Sequence, residues 1–415
     1  MARLFYQLSI YLYQVLITLV SPFNTKAKQW IDGRKHQRLE RLTDVQTAWF
    51  HCASLGEFEQ GRPVIEAFRA NFPHYRIVLT FFSPSGYEVR KNYEGADVIA
   101  YLPLDTEAKA RDFIETIQPS VAFFVKYEFW YNYLRILKEK QIPVISFSAI
   151  FRPNQVFFKS YGGFYRAILY NFSHIFVQNQ VSFDLLKSIG IPQISIGGDT
   201  RFDRVKQIAD AKKQISIVEQ FKNGQKLLIV GSCWQEDFQV FMPFLNNFKE
   251  PLKVIIAPHE IHSEEIESWR KQLSKKSVRF SEIATNQLVS EELAQAEVLV
   301  IDNIGMLSSL YQYAEFAWIG GAYKKGLHNT LEAATFGLPI FFGDKAYKRF
   351  QEANDLIEIG GAMPIDQTAT FQKAFEALYF NENKRLEKAT IIKNYVAANL
   401  GGTAKVIDFL KKSGL

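Results

Sequence analysis

The chain has 415 residues, more than the roughly 250–300 that a single hydrophobic core usually serves, so two domains are expected. Its two cysteines exclude a disulfide framework and fit a reducing cytosol, and a formal net charge of +6 is too small to indicate a nucleic-acid-binding protein. The same charge is compatible with anionic ligands or an anionic membrane surface.

The N-terminal segment is apolar. No charged residue occurs over residues 4–25, and several lysines and arginines follow. About 20 apolar residues can span a bilayer. However, Gln7, Gln14 and Ser21 recur every seven residues and place polar groups on one helical face. A membrane-surface anchor is therefore favoured, a single span is the second interpretation, and no membrane contact is the third. In the first two cases the basic residues favour the cytoplasmic side.

From residue 46 onward, short apolar runs alternate with polar turns and helical segments, as is typical of parallel strands covered by helices on both faces. In the first half, strands are predicted at Thr47–Phe50, Arg76–Phe81, Asp97–Tyr101, Val121–Val125, Val144–Ser148, His174–Val177 and Ile194–Ile196. In the second half, they are predicted at Lys226–Val230, Leu252–Ala257, Val298–Ile301, Phe316–Ile319 and Pro339–Phe342.

A polar stretch separates these two series at about residues 203–225 and indicates a connection between domains. We therefore predict an α/β protein in three parts. Residues 1–45 form a membrane-associating helix and a basic linker. Residues 46–205 and 206–415 form two doubly wound Rossmann-like domains with a cleft between them, and the second domain ends in a terminal helix.

Two carboxylates, Glu57 and Glu128, each follow directly on a predicted strand. Ligands of open α/β sheets bind beyond the carboxyl ends of the strands. An unpaired carboxylate that is simply buried there costs several kcal/mol, so this pair indicates a functional site. The alternative is that each acid caps the following helix or pairs with a nearby Lys or Arg.

In the second half, a strand ends in a double glycine, a basic loop with Lys324 and Lys325 follows, and a helix is predicted to begin near Asn329. Backbone N–H groups at a helix N-terminus can bind phosphate, and Glu332 is placed to accept hydrogen bonds from ribose. The alternative is a plain strand-to-helix turn with Asn329 as the N-cap. Other loops at strand ends in this half are Gly231–Trp234, Ala257–Glu260, Asp302–Met306 and Phe342–Asp344. Together they predict a nucleotide pocket, although His259 alone could equally be structural.

Two arginines are candidates for binding an anion. Arg201 lies near the predicted interdomain connection, and Arg152 follows another strand. The alternative for Arg201 is a surface pair with Asp199 or Asp203. The sequence has no Asp-x-Asp pair suited to a metal–diphosphate, no Gly-x-Gly-x-x-Gly after a strand and no Walker loop. We therefore expect a metal-independent reaction without a cofactor.

These features together resemble the Kdo (3-deoxy-D-manno-octulosonic acid) transferases of lipopolysaccharide assembly. The resemblance runs from the apolar helix to about residue 400. It rests on His51-x-x-Ser54-x-Gly56-Glu57, Glu128-x-Trp130-x-Asn132, Arg201-Phe-Asp203, Pro258-His259 and His328-Asn329-x-x-Glu332. It implies a GT-B fold (two Rossmann-like domains), CMP-Kdo as donor and lipid IVA as acceptor. It also implies a location at the cytoplasmic face of the inner membrane.

The same resemblance implies roles for individual residues. Glu57 matches the general base that deprotonates the 6′-hydroxyl of the acceptor, and Glu128 and Arg201 match transition-state stabilisers. CMP-binding positions are Pro258, His259, Ile304, Gly305, Met306, Asn329, Thr330, Leu331 and Glu332. Further candidate contacts to an anion or to the acceptor are Ser54, Gly56, Arg152 and His328.

The chain also departs from the family pattern. Arg201 stands where lysine is common, and Phe129 and Tyr131 replace the usual Leu and Pro, which puts the acceptor fit in question. Two other functions stay open from the residues themselves. One is a different GT-B glycosyltransferase or a sugar-nucleotide 2-epimerase. The other is a non-catalytic sugar-binding protein, which leaves Glu57 unexplained.

Overall fold

The chain divides into two structural units. The structure, a computed structural model, describes residues 2–43, 45–211, 214–284, 290–324 and 326–414. Unit 1 comprises Met1–Arg204 with Asn399–Leu415, and unit 2 comprises Val205–Ala398. The boundary after Arg204 lies one residue from the position at which the sequence analysis separates the two Rossmann-like domains.

Unit 1 is built on a seven-stranded parallel sheet with the strand order β3-β2-β1-β4-β5-β6-β7. The strands are β1 Thr47–Cys52, β2 Arg76–Phe81, β3 Val98–Tyr101, β4 Pro119–Val125, β5 Val144–Ala149, β6 His174–Val177 and β7 Ile194–Ile196. Helices cover both faces, so successive residues of β1 enter different cores: Trp49 packs on one face and Phe50 on the other. This explains why the strands read as continuous apolar runs.

The helices of unit 1 follow the predicted alternation. They are α1 Ala2–Val20, α2 Thr25–His36, α3 Leu55–Asn71, α4 Pro84–Arg90, α5 Glu107–Ile117, α6 Tyr131–Glu139, α7 Gly163–Leu169 and α8 Gln180–Ser188. Short 3-10 helices occur at Ser21–Phe23 and Val156–Phe158.

Helix α1 lies along unit 1 with its polar side inward. The Tyr6 hydroxyl donates to the Asp105 carboxylate at 2.5 Å, and Gln7 Nε2 donates to Asn132 Oδ1 at 3.0 Å. Gln7, Gln14 and Ser21 are half-buried, as their spacing predicts. The outward side is apolar and exposed at Leu4, Phe5, Leu8, Tyr11, Leu12, Val15, Leu16, Leu19 and Val20. Residues Ala2–Phe23 are long and apolar enough to cross a membrane, by length and composition.

Unit 2 contains the second seven-stranded parallel sheet, in the order β10-β11-β9-β8-β12-β13-β14. The strands are β8 Lys226–Cys233, β9 Leu252–Pro258, β10 Ser277–Arg279, β11 Val298–Val300, β12 Phe316–Ile319, β13 Ile340–Gly343 and β14 Ala362–Ile365. The sequence analysis missed β10 and β14. Both are short edge strands: β10 contains one apolar residue, and β14 contains Pro364, which weakens the strand pattern.

The helices that follow are α9 Arg201–Asp210, α10 Ser216–Lys222, α11 Gln235–Asn247, α12 Ser263–Gln272, α13 Phe280–Ala284, α14 Ser290–Gln295, α15 Leu307–Leu310, α16 Leu331–Thr335, α17 Gln351–Glu358, α18 Thr368–Tyr379, α19 Glu382–Ala398 and α20 Gly402–Lys412. A 3-10 helix lies at Tyr311–Tyr313.

The terminal helix α20 differs from the prediction, which placed it in the second domain. It packs on unit 1, where Val406 and Leu410 join a core with Phe58. The Asp203 carboxylate accepts the backbone N–H groups of Gly401 at 2.7 Å and Thr403 at 2.6 Å, which satisfies donors at the start of α20. The apolar face of α20 is visible in the sequence, but the surface that covers it is far away along the chain.

Candidate active site

Each sheet has one point at which the strand order reverses, and Glu57 and Glu128 lie at the reversal in unit 1. In unit 1 the chain runs outward from β1 to β3 and then returns to place β4 on the other side of β1. Glu57 follows β1 and Glu128 follows β4, so both acids lie beyond the ends of adjacent strands. In unit 2 the reversal lies between β8 and β12. Ligands of doubly wound sheets bind at such reversals.

Glu57 lies in the first turn of α3 and has a raised pKa. The Ser54 side chain caps this helix by accepting the Glu57 backbone N–H, and Glu57 Oε2 accepts the Ala53 N–H at 2.6 Å. Glu57 therefore contacts the helix start, as the capping alternative expects. Burial, and then the charge of Glu128, nevertheless raise its pKa to about 8, against the opposing effects of the Ala53 N–H and of Lys126. A carboxylate with such a pKa is suited to accept a proton near neutral pH.

Glu128 is held by the ring nitrogens of Trp130 and His51. Trp130 Nε1 donates to Glu128 Oε2 at 2.6 Å, and His51 Nε2 lies 3.3 Å from the same oxygen. The Trp130 ring packs on Phe82 with centroids 4.9 Å apart, and Phe82 in turn contacts Tyr13 of α1 at 5.9 Å. The orientation of Glu128 thus depends on side chains from β1, from the loop after β4 and, through two ring contacts, on α1.

Tyr127 lies beside Arg152, and the sequence analysis did not single it out. Arg152 Nη1 donates to the Tyr127 hydroxyl at 3.1 Å. Burial raises the pKa of Tyr127, the charges of Arg152 and Arg201 lower it, and the charge of Glu57 raises it. Arg201 also binds Asp199 Oδ2 through Nε at 2.9 Å and Nη2 at 2.7 Å, so the ion pair that the sequence left as an alternative is present.

The other two candidate contacts of this unit are on the first turn of α3. The Ser54 hydroxyl is engaged in capping the helix, and Gly56 is exposed beside Glu57. Both residues therefore lie beside the Glu57 carboxylate. A signal for Tyr127 existed in the sequence, since it follows β4 directly, but aromatic residues at strand ends are too common to single one out.

Unit 2 contains a pocket of about 570 Å³ at the ends of β9 and β11. It is lined by Ala257, Pro258, His259, Glu260, Ile261, His262, Ile301, Asn303, Ile304, Gly305 and Leu307. The pocket therefore brings together Pro258 and His259 from one predicted segment with Ile304 and Gly305 from another. Ile304 is 92% exposed, so an apolar side chain is presented at its edge. Met306 lies next to this lining and precedes α15.

A stack of three rings joins this pocket to the glycine-rich loop after β12. The His259 ring packs against both Trp234, at a centroid distance of 4.4 Å, and His328, at 4.2 Å. Trp234 Nε1 donates to His328 Nε2 at 3.1 Å, and burial together with His259 lowers the His328 pKa to about 4. His328 is therefore neutral near pH 7, with its other ring nitrogen carrying the proton. Trp234 is a second residue that the sequence analysis left without a role.

The helix expected to bind phosphate is short. Helix α16 has five residues, and the Asn329 side chain accepts the Leu331 N–H at 3.1 Å and donates to Glu332 at 3.1 Å. The turn that the sequence left as an alternative is thus present, and so short a helix adds little dipole. Thr330 and Leu331 are fully buried, so neither presents its side chain at the surface of this loop. Lys325 of the preceding loop lies outside the described residues.

Comparison with known proteins supports the resemblance to the Kdo transferases. Residues 31–204 match the family model described as 3-deoxy-D-manno-octulosonic-acid transferase (kdotransferase), and this segment holds Glu57, Glu128, Arg152 and Arg201. The 3-deoxy-D-manno-octulosonic acid transferase of Haemophilus influenzae is 25% identical over 377 residues, which cover 88% of this chain and 87% of that protein. These matches indicate a glycosyltransferase that is similar to the Kdo transferases over most of its length. The resemblance stated from the motifs is thereby confirmed.

Solved structures confirm the predicted GT-B fold class. UDP-GlcNAc 2-epimerase from Neisseria meningitidis matches with a TM-score of 0.64 and 13% identity over 88% of this chain and all of that one. MurG from Acinetobacter baumannii matches with a TM-score of 0.56 and 12% identity over 89% of this chain and 99% of that one. At such low identities the likeness concerns the fold alone.

Proposed function

We propose that this protein transfers Kdo from CMP-Kdo to the 6′-hydroxyl of lipid IVA, with inversion at the transferred carbon. The observation that carries the proposal is the half-buried Glu57, whose pKa of about 8 suits a general base and which lies in a segment matching the Kdo transferase model. Relatives of similar length that carry the name 3-deoxy-D-manno-octulosonic acid transferase support the same reaction.

In this reaction Glu57 accepts the proton of the 6′-hydroxyl while that oxygen forms a bond to C2 of Kdo. The bond from C2 to the phosphate oxygen breaks, and CMP leaves with the electron pair. Glu128 and Arg201 stabilise the charge that develops at C2 and on the phosphate. The ion pair with Asp199 partly offsets the positive charge of Arg201, but it holds the guanidinium in one orientation. A fixed guanidinium fits the role of a transition-state stabiliser.

Unit 1 binds the acceptor and unit 2 binds the donor in this proposal. The pocket at Pro258, His259, Ile304, Gly305 and Met306 takes CMP, with backbone groups from Asn329 to Glu332 as further contacts. The apolar and aromatic lining suits a nucleoside, and a few polar groups suffice to fix its orientation. Neutral His328, fixed by Trp234, adds an N–H donor close to His259.

Helix α1 lies on the inner membrane at its cytoplasmic face, where the acceptor is found. Its outward side chains are apolar and its inward side is tied to unit 1 through Tyr6 and Gln7, which is the arrangement of an interfacial helix. The basic segment after α1 supports contact with anionic lipid headgroups.

The test is transfer from CMP-Kdo to lipid IVA in the presence of EDTA, with Glu57→Ala as the decisive variant. General bases contribute roughly 10²–10⁴-fold to rates, so we expect a loss of about 10² or more. Glu59→Ala is the matched control, because Glu59 lies on the same helix but pairs with Arg90 at 2.7 Å, and we expect it to retain transfer. Turnover of UDP-GlcNAc in place of CMP-Kdo would favour the alternative epimerase instead. Equal rates for Glu57→Ala and wild type would remove Glu57 from the mechanism.

A further inference from the structure

A chain of buried hydrogen bonds runs through unit 1 and ends on Glu128. Trp49 Nε1 lies 2.8 Å from Thr80 Oγ1, and Thr80 Oγ1 lies 2.9 Å from His51 Nδ1. His51 Nε2 then lies 3.3 Å from Glu128 Oε2. Trp49, His51 and Thr80 are each 0% exposed, so the hydrogen bonds among these three side chains are fully buried.

The chemistry of the first residue sets the direction of the whole chain. An indole N–H can only donate, so Thr80 Oγ1 accepts from Trp49. The single hydroxyl hydrogen of Thr80 then goes to His51 Nδ1 at 2.9 Å in preference to the Phe50 carbonyl at 3.4 Å. Trp130 Nε1 lies 3.2 Å from His51 Nε2 but only 2.6 Å from Glu128 Oε2, so the indole hydrogen goes to the carboxylate. With Nδ1 accepting from Thr80, the neutral imidazole carries its proton on Nε2, and that N–H is left to donate to Glu128 Oε2.

The sheet register explains how three strands build this chain. His51 of β1 pairs with Thr80 of β2 on one side and with Phe124 of β4 on the other. Trp49 is two residues before His51 and therefore lies on the same face, packed against Phe124 at 5.1 Å. Large apolar side chains would fill this layer equally well. Polar groups placed here cost free energy unless each is hydrogen-bonded, so their presence requires a purpose other than packing.

We propose that His51 and Thr80 are positioning residues that fix the Glu128 carboxylate in the orientation needed for transfer. Trp49 fixes the Thr80 hydroxyl, Thr80 fixes the His51 tautomer, and His51 together with Trp130 fixes the carboxylate. The inference rests on the proposed function, because it assigns a purpose to the orientation of Glu128. A displaced catalytic group can lower a rate by as much as about 10²-fold.

The test compares substitutions at Thr80 in the full chain. Thr80→Val keeps the shape but removes the hydroxyl, and we expect kcat to fall at least roughly tenfold while KM for CMP-Kdo stays within about twofold. Thr80→Ser keeps the hydroxyl and should restore most of kcat. Thr47→Val is the matched control, because Thr47 is a fully buried residue of the same strand layer whose hydroxyl has no hydrogen-bond partner. We expect its kcat to equal that of wild type.

Combining Thr80→Val with Glu128→Gln distinguishes a loss of positioning from general damage to the fold. In Glu128→Gln, adding Thr80→Val should cause little further loss of kcat, since residues that act through one group are not additive. Full additivity of the two losses would overturn the proposal. So would an equal loss of kcat in Thr80→Val and Thr47→Val.

A measurement without substrate keeps this proposal distinct from the proposed function. Imidazole ¹⁵N shifts of His51, assigned by their loss in His51→Gln, should report a neutral ring protonated at Nε2 in wild type at pH 8. A ring protonated at Nδ1 would overturn the chain of hydrogen bonds. Absence of Kdo transfer by wild type would refute the proposed function and with it the purpose assigned to Glu128, even if the Nε2 tautomer is observed.

Discussion

Replacing Glu57 with Gln should inactivate the protein and stabilise it at the same time. Glu57→Gln keeps the shape of the side chain and an oxygen that can accept the Ala53 N–H, but it removes the charge. Burial and the neighbouring Glu128 oppose that charge in the folded state. Catalysis needs Glu57 ionised, but its surroundings disfavour the ionised form. The carboxylate therefore lowers the free energy of unfolding.

The pKa of Glu57 sets the size of this effect. In the folded chain it is raised from 4.5 to about 8, so the folded state binds a proton more tightly than the unfolded state. Stability therefore falls as the pH rises from about 4.5 to about 8 and is constant above that range. Each pKa unit corresponds to about 1.4 kcal/mol, which gives a ceiling of roughly 5 kcal/mol for the wild-type carboxylate at pH 8.5. The Gln variant lacks this dependence.

The assay is thermal unfolding of both proteins at pH 5.0 and pH 8.5. A domain of this size gains roughly 2–4 °C in Tm per kcal/mol, so we expect Glu57→Gln to unfold several degrees higher at pH 8.5 and at nearly the same temperature as wild type at pH 5.0. Transfer by wild type should rise with pH towards about 8, because the base must be unprotonated. If wild type and Glu57→Gln have the same Tm at pH 8.5 as well as at pH 5.0, the ionised Glu57 does not destabilise the fold and the reasoning is refuted.

Two further substitutions test the parts that surround the site. Tyr6→Phe removes the 2.5 Å bond to Asp105, whose pKa burial raises to about 6, and should cost about 1–3 kcal/mol, seen as faster hydrogen exchange in helix α1; unchanged exchange would show that this bond does not hold the helix. Gly321→Ala should weaken CMP binding more than tenfold, because Gly321 has φ +92° and a Cβ there would lie 2.8 Å from the His328 ring. Gly224→Ala, at φ +72° in open space, is its control and should bind CMP like wild type.

The sequence predicted most of the fold because the relevant signals are local. The alternation of apolar runs with amphipathic segments predicted every strand of the first sheet. In the second sheet it missed β10 and β14, which are short strands at the two edges. The positions of Glu57 and Glu128 directly after strands were likewise enough to place both acids at one sheet edge.

The sequence could not determine which partner each polar group finds. Arg201 had two acidic neighbours in the sequence, and its Nε and Nη2 groups bind Asp199, while Asp203 instead receives the N–H groups that begin α20. The role of Asp203 depends on the return of the chain end to unit 1, and no local pattern encodes that return.

By itself, then, the sequence determined the alternating strands and helices, the two acids at a sheet edge and the resemblance to Kdo transferases, since each depends on short segments read alone. Only the tertiary structure decided that Thr80 orients His51 and that His51 meets Glu128, because these partners are 29 and 77 residues apart in the chain. Burial, which also appears only in the folded chain, is what raises the pKa of Glu57 and makes it suitable as a base.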